Sequence, residues 1–187
     1  MSIEPPLYTE IVEFWREAGP KAWFSQKPAF DAEIRLRFEA VHFAAARGEF
    51  ADWAEMAEGA LALLLLLDQF PRNLFRGSAH AFATDAMARA VAEAAVRADQ
   101  PMALEPLLRP FFFLPFEHSE SLADQDCAVV LAEAHARETG DEDTLKWARL
   151  HRDIIERFGR FPHRNPVLGR TTSDAEAAFL AEGGFSG

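Results

Sequence analysis

The sequence predicts an all-α protein, a single helical domain over residues 1–187. Three observations carry the prediction. Apolar residues recur at spacings of three and four from end to end. No alternating apolar–polar run of strand length interrupts them. The most apolar stretch, Gly59 to Leu67, is built of leucine and alanine, which favour helix where valine and isoleucine would favour strand.

The elements follow in order. Ile11, Val12, Phe14 and Trp15 form a first helical face, stopped by Gly19-Pro20, and Lys21 to Phe24 makes one short turn. Phe30, Ile34, Phe38, Val41 and Ala45 form the stripe of a longer helix that Gly48 ends. Phe50 to Met56 reads as a short helix. The segment Gly59–Leu67 is apolar all round, so it is the expected central helix, surrounded on every side, and Pro71 is expected to stop it. Thr84-Asp85 is positioned to cap an alanine-rich helix reaching Ala98. Pro106 opens a short segment, Leu107 to Leu114, that Pro115 closes. Leu122 to Glu138 precedes Gly140, Asp141 to Phe158 follows, and Ser173-Asp174-Ala175-Glu176 is a capping box for a last helix. This gives roughly eight to ten helices around a core rich in Leu and Phe.

Composition narrows the function classes. The chain has 17 Phe against 4 Trp and 1 Tyr, and so many rings point to a large aromatic core, Phe111-Phe112-Phe113 included. The single Cys127 excludes an internal disulfide and a Cys-rich zinc site, and beside Asp124 and Asp126 it reads as a small buried apolar residue. The opening Met1-Ser2-Ile3-Glu4-Pro5-Pro6 lacks the basic and apolar regions of a signal peptide. The longest apolar run, Ala60 to Leu67, falls far short of the ~20 residues that span a bilayer. No membrane association and a cytoplasmic location are therefore expected. A net charge of −11 repels a nucleic-acid backbone. Within that acidic chain, Lys146, Arg149, Arg152, Arg157, Arg160, Arg164 and Arg170 form a basic island against Asp153 and Glu156.

Three polar segments stand out: Asp68 to Gly77, Leu114 to Glu120, and His151 to Asn165. The first and third echo each other, each placing Arg and Asn after a proline that ends an apolar helix. The pattern LLLLDQFPRN-x-FRG-x(4)-FATD runs from Leu64 to Asp85, LPFEHSE from Leu114 to Glu120, and HRDII-x-RFGRFPHRN-x-x-LGR from His151 to Arg170. Over nearly the whole chain these motifs resemble the bacterial domain-of-unknown-function 924 family. The resemblance implies a tetratricopeptide-like array of helical hairpins and brings no catalytic residues with it.

Read by chemistry, Arg72, Arg76, Arg160 and Arg164, with Asn73, His163 and Asn165, suit the capture of a carboxylate or phosphate. Glu117, His118, Glu120 and His151 add acid–base groups. Equally, Asp68, Glu117, Glu120 and Asp153 are ready ion-pair partners for those arginines, and loops of this composition commonly tie helix ends together. The leading expectation is a binding protein for a small anionic ligand, an acidic peptide or a protein partner. The alternatives are an enzyme using Glu117, His118 and His151 on an anionic metabolite, and a scaffold whose polar motifs serve folding alone. No cofactor is expected. Glu39-Ala40-Val41-His42 and the set Glu117, His118 and His151 are weak metal motifs, since neither spacing completes a coordination shell.

Overall fold

The computed structural model describes residues 6–186. The opening five residues, on which most of the signal-peptide argument rests, lie outside the described residues. Among those described the chain is helical, without strands. The α-helices are α1 (Leu7–Ala18), α2 (Pro20–Trp23), α3 (Pro28–Ala46), α4 (Ala57–Leu64), α5 (Phe70–Leu74), α6 (Asp85–Arg97), α7 (Leu114–Glu117), α8 (Leu122–Thr139), α9 (Glu142–Phe158) and α10 (Asp174–Ala181), joined by turns and 3₁₀ segments. No helix among the described residues is long and apolar enough to cross a membrane. The chain forms two compact units, one of Met1–Arg76 with His80–Pro115, the other of Gly77–Ala79 with Phe116–Gly187.

In the first unit α4 is enclosed as its sequence requires. From Ala60 to Leu67 no residue is more than 4% exposed, and α1, α6 and the 3₁₀ segment Ala51–Glu55 pack on it. The 3₁₀ segment comes so close that a Cβ at Gly59 would collide with the Trp53 carbonyl oxygen. An aromatic network fills the rest. Trp15 stacks on Trp23 at 5.8 Å and meets Phe70 and Phe111 at 5.6 Å, while Trp23 Nε1 donates to the Trp15 carbonyl at 2.6 Å. Phe111, Phe112 and Phe113 are all core.

Pro71 does not stop the central helix. The backbone widens into a π segment, Leu65–Gln69, and continues as α5 to Leu74. The wide turn is what a helix adopts when a donor is missing from its ladder. Similarly, Leu107 to Leu114 is not an α-helix: Pro106–Phe112 is 3₁₀, and Pro115 lies inside α7 rather than after it. Ala51–Glu55 is 3₁₀ as well.

In the second unit α8 and α9 pack as a hairpin. Gly140 takes φ +80° at the turn, and Asp141 caps α9 by accepting from the Thr144 N–H at 3.1 Å. Ala132, Ala136, Ala148 and Leu145 form the seam. A second cluster, Ile154, Ile155 and Phe161, gathers Phe158, Phe179 and Phe185 around it. α10 opens with the expected capping box of Ser173 and Glu176. Cys127 is half-buried rather than buried.

Candidate functional site

The first polar motif begins with a carbonyl problem. Phe70 N–H bonds to Leu65 O in the π register, so the next donor in line would be the N–H that Pro71 lacks, and its acceptor would be Leu66 O. His42 Nδ1 takes that place, 2.8 Å from Leu66 O, and the Thr84 hydroxyl donates to the neighbouring Leu67 O at 2.5 Å. Thr84 therefore spends its side chain on the central helix instead of capping α6. His42 is fully buried; burial holds its pKa below the ordinary value, outweighing the bond to Leu66. Glu39 pairs with Arg35 at 2.8 Å.

The arginines and asparagine of this motif lie on or just after α5, not in a loop. Arg72 grips Asp85 through two bonds of 3.0 and 3.1 Å and lies 3.2 Å from Asp68. Burial opposes its charge, but the two carboxylates overcome that and raise its pKa. Arg76 grips Asp31 at 2.7 and 3.0 Å, and Asn73 Nδ2 donates to the same carboxylate at 2.8 Å. Burial of Asp31 works the other way, yet the bonds from Arg76 and Asn73 hold its pKa down. In this unit Arg72, Asn73 and Arg76 thus meet carboxylates of the chain itself.

The second unit holds the remaining candidates. Its arginines are likewise engaged, Arg160 and Arg170 among them. Arg160 meets Glu176 at 2.6 and 2.8 Å and the Thr171 carbonyl at 2.8 Å. Arg160 and the Ser173 N–H together push the Glu176 pKa far down. Glu120 accepts from Arg170 at 2.7 and 3.0 Å and from the Phe161 N–H at 2.8 Å. Burial alone would raise its pKa, but those donors and the charges of Arg170 and Arg164 lower it. Glu120 therefore ties the turn after α7 to the segment after α9.

Glu117 and His151 form a pair. His151 Nδ1 lies 2.9 Å from Glu117 Oε1 and 2.9 Å from the Trp147 carbonyl. Both neighbours are acceptors, so Nδ1 carries the proton and Nε2 is the nitrogen available for other chemistry. Glu117 is 4% exposed, and the turn beyond it is fixed by Gln125, whose amide donates to the carbonyls of Glu117 and Ser119 at 2.6 and 2.7 Å. That turn carries His118.

His163 and Arg164 sit on the 3₁₀ turn Pro162–Arg164. The Arg164 guanidinium lies over the Phe161 ring at 4.5 Å. His163 Nδ1 is buried and has no hydrogen-bond partner among the described residues. Burial first, then the Arg164 charge and the neighbouring His151 and His118, hold His163 down to about 3, with Glu120 opposing them. Glu117, His118, His151, His163 and Arg164 thus come together in one unit, while Asn165, fully buried, bonds towards Thr172 at 3.4 Å. Among the described residues no group of three His, Cys, Asp or Glu side chains is placed to hold a metal.

Sequence reading missed several partners. Arg170 lies within a quoted motif and in the basic island, a signal that it pairs with an acid. Glu176 reads as a capping-box residue, and its second role on Arg160 leaves no local trace. Thr84, Gln125 and Phe185 carry no signal of their distant bonds and contacts.

Comparison with known proteins agrees with the motifs. The family model described as bacterial protein of unknown function (DUF924) matches residues 11–184. No curated protein matches. A solved structure of a protein of unknown function from Agrobacterium tumefaciens is similar, with 50% identity, 94% of this chain and 97% of that one covered, and a TM-score of 0.88. With its helical fold and motif spacing matched over almost the full length, the chain belongs to the DUF924 family of bacterial proteins.

Proposed function

We propose that the second unit is a binding module for a small anionic ligand, centred on His163 and Arg164. The observation that carries this is the buried, unpartnered Nδ1 of His163 near the Arg164 guanidinium and the imidazoles of His151 and His118. Buried polar atoms are ordinarily hydrogen-bonded, and exceptions mark strain, chemistry or a missing partner. A carboxylate or phosphate oxygen is the partner this environment favours. Carboxylates of the chain engage Arg72, Arg76 and Arg160, and the proposed contact set does not include them. A free small anion fits better than nucleic acid, since the net charge of −11 repels polyanions. A cytoplasmic setting, where lone thiols stay reduced, suits Cys127.

The Glu117–His151 pair supports a second reading, in which the module acts on what it binds. Its fixed tautomer leaves His151 Nε2 to exchange a proton with a bound anion, the role of an oriented general base. In that case His151→Ala removes turnover and spares binding; turnover that survived the substitution would end the catalytic reading.

The test is a thermal-shift panel of phosphate, sulfate, carboxylates and phosphorylated metabolites at matched ionic strength. A ligand at a hundred times its Kd stabilises by about 2.7 kcal/mol, or roughly 5–10 °C at this chain length. The shift is expected to vanish in His163→Ala. A panel without any selective shift, or one that His163→Ala leaves intact, would refute the module.

A further inference from the structure

A phenyl ring of the same unit covers the unpartnered imidazole. The Phe185 ring stands edge-on to His163 at 5.2 Å and to His151 at 4.5 Å between centroids, with Trp147 at 6.2 Å. Glycine delivers it there. Gly183 takes φ +85° after α10, and a Cβ at Gly184 would lie 2.5 Å from the Phe179 carbonyl oxygen and 2.6 Å from its ring. Only glycine lets the backbone turn across Phe179 and lay Phe185 on the two imidazoles. The ring is half-buried and belongs to a segment outside any helix, flanked by exposed Ser186.

We infer that Phe185 is an internal plug standing where a ligand's aromatic ring binds, and that the ligand is a small aryl carboxylate. This rests on the anion module proposed above. The place already accepts a phenyl group, with Phe161 at 5.5 Å from His151 and 5.7 Å from His163 as a further wall. The plug is a hydrocarbon and cannot satisfy His163 Nδ1. An aryl carboxylate replaces the ring with a ring and adds the oxygen that the nitrogen lacks, next to the Arg164 guanidinium. Acetate and phosphate bring oxygen without a ring, and benzyl alcohol brings a ring without the charge.

Calorimetric titration of the full chain with benzoate, phenylacetate, acetate, phosphate and benzyl alcohol tests the inference. An aryl acid is expected to bind about tenfold tighter than acetate, the scale of a well-placed aromatic contact, and benzyl alcohol more weakly than either aryl acid. Phe185→Ala removes the competitor, so it is expected to tighten aryl-acid binding several-fold more than acetate binding. An aryl acid no tighter than acetate, or weaker in Phe185→Ala, overturns the plug. If acetate or phosphate still binds and His163→Ala abolishes it, the anion module survives that result; if no anion binds, both fall. Should Phe185→Ala not fold, the ring-proton shifts of Phe185 in the wild-type chain decide. They are expected to move with benzoate and not with acetate, and identical responses to the two overturn the plug.

Discussion

His163 shows how one side chain ties folding to pH. In the unfolded chain its imidazole titrates near 6.5, whereas in the folded chain burial and the Arg164 charge hold it to about 3. Between those values the unfolded state binds the extra proton, so this residue makes stability fall as pH falls, by up to about 1.4 kcal/mol per pH unit. His163→Gln removes the titration. Its unfolding free energy, measured by urea denaturation between pH 6.5 and 4, is expected to decline less steeply than that of the wild type; parallel profiles would show that His163 is not held neutral. Glu120 acts in the same sense at lower pH. Its lowered pKa gives stability that is present above the ordinary carboxylate range and lost as acid protonates it. Arg170→Ala strips away its two charge-assisted bonds and is expected to cost about 2 kcal/mol at pH 7, with a smaller loss at pH 3. An equal cost at both values would assign the effect to packing.

At the scale of elements, the π segment is the structural consequence of Pro71. Removing one backbone donor frees carbonyls in the middle of a buried helix, and His42 and Thr84, on two other elements, supply the donors. Thr84→Val is expected to leave Leu67 O unsatisfied, at a cost of about 1–3 kcal/mol. Pro71→Ala restores an N–H able to reach that carbonyl in an α register, so the two substitutions together should cost less than their sum, with a coupling of at least ~0.5 kcal/mol. Strict additivity in a double-mutant cycle would mean that Thr84 does not substitute for the missing donor. The same element shows what sequence does and does not disclose. Leu61 to Leu67 announces a buried helix because composition and period are local properties. That the helix survives Pro71 depends on His42 and Thr84, 29 residues before and 13 after it in sequence, and no local pattern carries such partners. Likewise, the capping box at Ser173 is readable from four residues, whereas the reach of Glu176 to Arg160 is not. Of the candidate site, the residue types and three segments were legible. The pairing of arginines with Asp31, Asp85 and Glu176, and the placing of Arg164 near His163, depended on tertiary contacts.

For the whole molecule, the same motif set does two different jobs. In the first unit the Arg–Asn motif is consumed by internal carboxylates and locks α5 to α3 and α6. In the second, the corresponding motif supplies such locks, Arg160 on Glu176 and Arg170 on Glu120, and also the cluster of His151, His163 and Arg164. The echo between the two motifs is therefore one of sequence more than of role. On the reading proposed above, anion binding at the second cluster carries a salt dependence. The most direct measurement is a nitrogen-15 titration of the His163 imidazole with and without saturating benzoate or phosphate. An anion beside Nδ1 is predicted to raise the pKa from about 3 by at least ~1 unit, since an opposite charge within hydrogen-bond reach favours the protonated ring. A titration curve unchanged by either anion would contradict the assignment of this cluster as a binding site.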